Sequence, residues 1–526
     1  MMATTETEGE QSEMEVLVSV REEELEKTKA LPIDTTMYDF LSQKFNWFLM
    51  TIRTQGVKAG LKLVRKNIVL LTRYITGARG RSKAKQSQEG AEEQDEELRE
   101  IEAFRARIDS EDKGPIRVLD LCYYMICPPT SGGMLRILAP IMKMHPEQGI
   151  AFSMVFTTYS EEYAEECEAY LNGIPVMEFS KGVVAYKYKS PLGTIPEGIP
   201  KDVWETVSRE LVDYLRKLLA HVDYDIIQVE HSQLAWIVPF LREFSPKSKI
   251  VLDAHNIEYR IYETWLPYCK PDTEQEIRDK YILLRDWERK VWPWFDYAFS
   301  VSSEEQHILQ ESGIPGTYLV PTGGGIDPGK YTPKGDLERS LDILYIGSMN
   351  WYANAHGLIW FIENVMPIIE KRRPGTEFNI VGSGMPMGDL LTVTSRCSNI
   401  KFWGFQEDDV GFFHRSKVFV VPLWIGAGAR VKVITAWAAK IPVVSTVFGA
   451  EGSKTENGKN IILTDEPEVF AEAILRILDD PEYRNAIAES AYATFLENYT
   501  VERCAELLDI AYKEMAGESD GGSNRE

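Results

Sequence analysis

The run Ile425-Gly426-Ala427-Gly428-Ala429-Arg430-Val431-Lys432 holds the densest site-like chemistry in the chain. An apolar segment, VFVVPL, leads into it, and a helical pattern whose first turn carries Arg430 and Lys432 leads out. Glycine lets backbone approach a ligand closely and frees amides at a helix N-terminus to hold an anion. Cations ordinarily prefer helix C-termini, so two of them in a first turn need an anionic counterpart, which a diphosphate would supply. Three more Gly loops follow predicted strands: Ser131-Gly132-Gly133, Gly347-Ser348 and Gly382-Ser383-Gly384. Each alone is what many strand-to-helix turns use, but together they outline the walls of one cleft. No metal site is predicted, Asp408-Asp409 being simpler as a solvated turn. His255, at the end of KIVLDA, is a lone histidine of a kind more often structural than liganding.

The elements that must position these groups alternate. From Pro115 the apolar runs IRVLDL, AFSMVFT, DIIQVE, KIVLDA and FDYAFSVS are separated by helical segments, one of them around Glu161 to Leu171. After the connector PTGGGIDPGKYTPKG the alternation restarts with LDILYIGS, a helix over 357–371, EFNIVGSG, IKFWGF, KVFVVPL and PVVSTV. This pattern predicts an α/β chain of two doubly wound domains, at 111–325 and 326–516, with ligands in the cleft beyond the carboxyl ends of the strands. The last helices, around 468–479, 482–497 and 501–516, are counted with the second domain.

Residues 1–110 differ. The first thirty and 84–100 are rich in Glu and poor in apolar residues, which predicts weak order, as it does for the tail 517–526. Between them, 39–85 interleaves Trp47, Phe48, Ile52 and Leu61 with Lys58, Arg65, Lys66 and Arg73, the pattern of a basic amphipathic helix or helix pair. Such a stretch suits either an anionic membrane surface or another protein surface.

With 526 residues, 44% hydrophobic and 26% charged, the chain can bury several cores. Its 58 basic against 81 acidic residues give a net charge of -23, which argues against nucleic acid as a partner. Six cysteines without a CxxC pair read as reduced thiols in a cytoplasm. No secretory signal and no uninterrupted apolar run of transmembrane length is visible, so the expectation is a cytoplasmic protein, peripheral on the inner face of the membrane if 39–85 meets lipid.

The stretches YIGSMNWYANAHGLIWFIENVMPII, FNIVGSG, IKFWGF, GAGARVK, AWAAKIPVVSTVFGAEG and NIILTDEPEVFAEAILRILDDPEYR occur in that order between 344 and 498. In that run the chain resembles the donor-binding half of the retaining glycosyltransferases of the GT4 group (glycosyltransferase group 1), built on the GT-B fold of two Rossmann-like domains. The preceding half resembles them more loosely through PPTSGGMLRI, DIIQVEHSQLAW, VLDAHNIE, FDYAFSVSSEE and YLVPTGGGID.

The resemblance implies that Arg430 and Lys432 hold the donor diphosphate, helped by backbone around Gly428 and Ala429. Gly132 and Gly133 close over phosphates or acceptor, His255 touches the transferred sugar, and Phe405 lies beside the nucleobase. Gly347, Ser348, Gly382, Gly384, Thr435 and Glu451 complete the expected donor contacts. Ala427 and Thr435 stand where many members have glutamates, and Lys440 replaces a glycine.

The expected activity is sugar transfer, with retention, from a nucleotide-diphosphate sugar to a glycan or lipid-linked acceptor in polysaccharide synthesis, without a tightly bound cofactor. The departures leave a second reading: a catalytically silent chain that binds nucleotide or glycan, or scaffolds a partner.

Overall fold

The computed structural model describes residues 83–109, 114–129, 132–185, 195–321, 325–335, 337–384, 388–394, 397, 399–406 and 408–517. The chain divides into a unit of residues 1–87 and one of 88–526, and the amphipathic stretch expected at 39–85 falls outside the described residues except at its last three positions.

Seven parallel strands form the first sheet: β1 (Ile116–Cys122), β2 (Ile150–Thr158), β3 (Met177–Val184), β4 (Ile226–Glu230), β5 (Lys249–Asp253), β6 (Tyr297–Ser300) and β7 (Gly316–Leu319), in the order β3-β2-β1-β4-β5-β6-β7. The second has β8 (Leu341–Ile346), β9 (Phe378–Val381), β10 (Ile400–Gly404), β11 (Ser416–Val421), β12 (Val443–Ser445) and β13 (Ile462–Leu463), in the order β10-β9-β8-β11-β12-β13. Each order reverses beside its first strand, giving one switch point per sheet, at β1/β4 and β8/β11. Every residue of β2 and β4 is buried, as it must be when helices cover both faces and no polar side can face water. The expected α/β architecture of two facing sheets is what the chain adopts.

Two elements depart from expectation. Residues 84–100 belong to a helix, Lys83–Ile108, where weak order was predicted. Its Glu-rich start hides an apolar stripe that comes late: Ile101, Phe104 and Ile108, at i, i+3 and i+7, are buried in the first sheet's core, and Phe104 stacks on Phe179 at 4.9 Å. The other is the last helix, Val501–Ala516, which was counted with the second domain. It packs on the first sheet instead, placing Cys504, Leu508, Tyr512 and Met515 in a core with Val118, Phe152 and Phe299. The chain therefore passes twice between the halves, at 325 and at 500, and the two passages touch: Ile326 exchanges backbone hydrogen bonds with Tyr499 and Val501 at 3.0 and 3.3 Å. A Cβ at Gly325, whose φ is +82°, would lie 2.3 Å from Val501 Cα, so only glycine fits there.

Candidate active site

β11 ends in the turn that the glycines predict. Gly426 and Gly428 have φ of 141° and 68°, and a Cβ on Gly428 would lie 2.3 Å from Asn256 Oδ1 of the first half. The helix Val431–Ala438 follows with Arg430 as its N-cap residue. Arg430 donates to the carbonyls of Ala427 and Gly428 at 2.6 and 2.9 Å, lies 4.7 Å over the Phe448 ring, and stands 3.8 Å from Glu451. It is 7% exposed, so it does not stand in an open cleft as its position at a helix start suggests; burial lowers its pKa to about 10. Its Nε and Nη2 are buried without a hydrogen-bond partner among the described residues. Unmet donors of this kind are what an anion would satisfy.

Lys432 lies two residues on. Its amine donates to Tyr345 Oη at 3.0 Å and Asn354 Oδ1 at 3.1 Å, while Asn354 Nδ2 donates to Ser348 O at 2.8 Å. The loop after β8 thus sets the lysine, and a Cβ on Gly347 would lie 3.2 Å from Lys432 Nζ. Burial, reinforced by the Arg430 charge, lowers the Lys432 pKa to about 7.

The other Gly loops serve packing more than amide donation. The Gly347 amide donates to Val381 O and the Gly382 amide to Gly404 O, and a Cβ on Gly382 would collide with Gly347 O at 1.9 Å. A Cβ on Gly384 would meet the Asn350 side chain. The Gly428 amide is taken by a group that the sequence did not single out: Glu305, from the first half, accepts it at 2.8 Å and also accepts the Ile257 amide at 3.2 Å. Burial raises the Glu305 pKa to about 7, and its Oε2 has no hydrogen-bond partner among the described residues. Thr435 Oγ1 donates to Val431 O at 3.0 Å, so its hydroxyl proton is spent within the helix. Glu451 pairs with Arg260 of the first half at 2.8 Å. Phe405 is 52% exposed beyond β10. Lys440 has a φ of 52°, the left-handed region that glycine favours, and pairs with Glu489 at 2.9 Å. Its replacement of a glycine is thus a matter of helix termination and not of the site.

From the first half, a Cβ on Gly132 would stand 3.9 Å from Val431, and one on Gly133 would stand 3.6 Å from His255 Nδ1. The structure thus brings Gly132, Gly133, His255, Gly428, Ala429, Arg430 and Lys432 to one place. His255 is buried just after β5 with Nε2 hydrogen-bonded to Glu230, which ends β4. The His231 ring packs against it, tilted by 33° with centroids 3.8 Å apart, and His231 Nε2 lies 3.1 Å from Tyr124 Oη. Burial holds both histidines down to about 4, so both are neutral near pH 7.

Asp120, on β1, is fully buried with neither oxygen hydrogen-bonded among the described residues. Burial raises both it and Glu230 well above the usual range, Glu230 also through the Asp253 charge. Gln228 donates an N–H to Glu230 while Asp120 accepts none, and the contact between the two acids raises Asp120 and lowers Glu230, so Asp120 is the member of the pair that holds a proton more readily. Glu230, Asp253 and His255 each bring a ligand atom within 4.8 Å of the others, the spacing a metal needs, but Arg136 already binds Asp253 and supplies the positive charge.

Residues 340–480 match the family of glycosyl transferases group 1. A Klebsiella pneumoniae protein described as an uncharacterized 44.6 kDa protein in the cps region is 24% identical over 71% of this chain and 93% of its own. A probable sucrose-phosphate synthase of Thermosipho melanesiensis is 41% identical over 128 residues, 24% of this chain and 28% of that one. Among solved structures, sucrose-phosphate synthase from Thermosynechococcus elongatus superposes with a TM-score of 0.57 at 17% identity, covering 77% of this chain and all of that one. Anabaena HepE in complex with UDP gives 0.53 at 14% identity over 76% of this chain and all of its own. Residues 340–480 thus carry the match to group 1 glycosyl transferases, and the two sheets give the chain the GT-B fold of these solved structures.

Proposed function

We propose that the chain is a GT4-type retaining enzyme that moves a sugar from a nucleotide-diphosphate donor to a glycan or lipid-linked acceptor, with the acceptor on the half at 111–325 and the donor on the half at 326–516. The observation that carries this reading is the pairing of Arg430, with two unmet donors, and Lys432 beside the Gly428 turn, directly opposite Gly132 and His255. Catalysis is then mainly positioning and charge stabilisation: both cations and the turn's amides stabilise the diphosphate as it departs, and no general base is required. Solved structures of HepE with UDP and with UDP-glucose support a uridine donor, and the cps-region relative supports a polysaccharide product. Among the described residues no helix is long and apolar enough to cross a membrane, and we place the enzyme in the cytoplasm, with 39–85 meeting an anionic membrane face or a partner protein.

Calorimetry of the full chain against UDP, GDP, ADP and their sugar conjugates tests the reading. Binding of one sugar nucleotide that is lost in Arg430→Ala is the expected result, and no binding by any of them sinks it. The silent-scaffold reading draws on Glu305 occupying the Gly428 amide and on the internally bonded Thr435 hydroxyl. Turnover of the bound sugar nucleotide in the presence of acceptor would exclude it.

A further inference from the structure

A continuous run of buried polar groups joins the last helix to His255. Tyr512 donates its hydroxyl to Gln228 Oε1 at 2.7 Å, Gln228 Nε2 donates to Glu230 Oε1 at 2.7 Å, and Glu230 Oε2 meets His255 Nε2. None of the four is more than 7% exposed. Gln228 and Glu230 sit two apart on a central strand and so share one face, where an apolar pair would cost less to bury.

The run has a direction. A carboxamide has one accepting end and one donating end. A phenol donating to its oxygen turns the amino group toward Glu230, whose Oε1 accepts it, and with the proton of the acid pair on Asp120 the Oε2 accepts as well. The proton of the His255 bond consequently belongs to Nε2. That leaves Nδ1 bare, and it finds no hydrogen-bond partner among the described residues while facing Gly133. His231 keeps the ring from turning, held against it by a backbone at φ 66°, a strained value for a residue with a side chain.

We propose that Tyr512 and Gln228 are positioning residues that act through Glu230 to hold His255 with its proton on Nε2, so that Nδ1 offers a lone pair into the site and accepts a hydrogen bond from a hydroxyl of the bound sugar. The identity of that hydroxyl rests on the glycosyltransferase reading above, whereas the tautomer belongs to the free chain. The last helix, though distant from the donor turn in sequence, thereby orients a group that faces it.

The test is nitrogen NMR on the full chain carrying 15N-histidine, with His255 assigned among the seven histidines by its loss in His255→Gln. In the free wild type, His255 Nδ1 should resonate as an unprotonated nitrogen and Nε2 as a protonated one. Tyr512→Phe, which frees the carboxamide to turn, should give a mixture of tautomers and lower kcat/KM for the sugar nucleotide roughly three- to tenfold, the worth of about one hydrogen bond, with UDP affinity unchanged. Should Tyr512→Phe fail to fold, Glu230→Gln, whose carboxamide oxygen accepts from Gln228 and so turns its amino group toward His255, should move the proton from Nε2 to Nδ1. A protonated Nδ1 in the wild type, an unmixed tautomer in Tyr512→Phe, or a proton that stays on Nε2 in Glu230→Gln overturns the proposal. Absence of turnover in every form with the tautomer as described would instead count against the enzyme reading.

Discussion

Binding of a sugar nucleotide should draw a proton from solution onto Lys432. The amine is buried against two neutral oxygens, Tyr345 Oη and Asn354 Oδ1, with the Arg430 guanidinium as its charged neighbour. Lowering its pKa from 10.5 to about 7 costs the charged form about 5 kcal/mol, at roughly 1.4 kcal/mol per tenfold in proton affinity. A single negative charge about 4 Å away returns roughly 4 kcal/mol at an effective dielectric of about 20, so a diphosphate with two charges more than offsets that cost. Between pH 7 and 10.5 the folded chain carries fewer protons on this group than the unfolded chain, so stability rises with pH there, and the bound diphosphate reverses the deficit. At pH 8 the uptake should approach about 0.9 proton per site, and at pH 6, where the amine is already charged, it should fall to about 0.1. UDP-glucose is the suitable probe because its phosphodiesters do not titrate in this range. Titration calorimetry in two buffers of different ionisation enthalpy reads the proton count, with Lys432→Met as the control for Glu305 and any other group. Equal apparent enthalpies in both buffers at pH 8, or an uptake that survives Lys432→Met, would refute the reasoning.

The two cations should separate in stability as they do in surroundings. Arg430→Ala removes two hydrogen bonds to the turn and should destabilise the chain by about 1–3 kcal/mol as well as weakening donor binding, whereas Lys432→Met should weaken donor binding and leave the melting temperature unchanged or higher. Scanning calorimetry with and without UDP distinguishes the two, and equal melting losses would contradict it. Glu305→Gln keeps an oxygen for the Gly428 and Ile257 amides but removes a charge that opposes the diphosphate, so UDP should bind roughly fivefold tighter or better, and weaker binding would show that the carboxylate assists. Asp120 has a raised pKa, so the folded chain holds a proton that the unfolded chain loses above pH 3.8, and stability falls as pH rises. Asp120→Asn should remove that fall, its advantage growing by up to about 1.4 kcal/mol per pH unit as pH rises above 3.8 in urea unfolding, and a flat difference would place the ionised carboxylate in the core.

The two-sheet architecture was legible because parallel strands covered on both faces read as mostly apolar runs, and β1, β2, β4, β5 and β6 do so despite Asp120, Gln228 and Glu230. The strands that escaped are those where this signal fades: β3 carries Lys181 and Gly182, β7 is a half-buried edge strand, and β13 has two residues. The helix Lys83–Ile108 was obscured by averaging a Glu-rich start with an apolar end. At the site, the glycines and the basic pair announced the donor turn, because such residues at a helix start have few other uses. Glu305, Asn354 and Glu230 did not stand out, since an acid or amide acting through long-range contacts has no local spacing to mark it. His231 carries a local signal of its own, a histidine next to an acid directly after the apolar run DIIQV.

The return of Val501–Ala516 to the first sheet has a bearing on biosynthesis. The first half's strands end at residue 319, yet one wall of that half's core is supplied by Cys504 through Met515, which follow the whole of the second sheet in sequence. During translation, strands β1 to β7 emerge long before that wall exists, and the apolar surface of Val118, Phe152 and Phe299 stays open to solvent and to chaperones until residues 501–516 have been made. A premature stop near residue 500 would leave the whole donor turn in place and yet yield a chain whose other half cannot close its core.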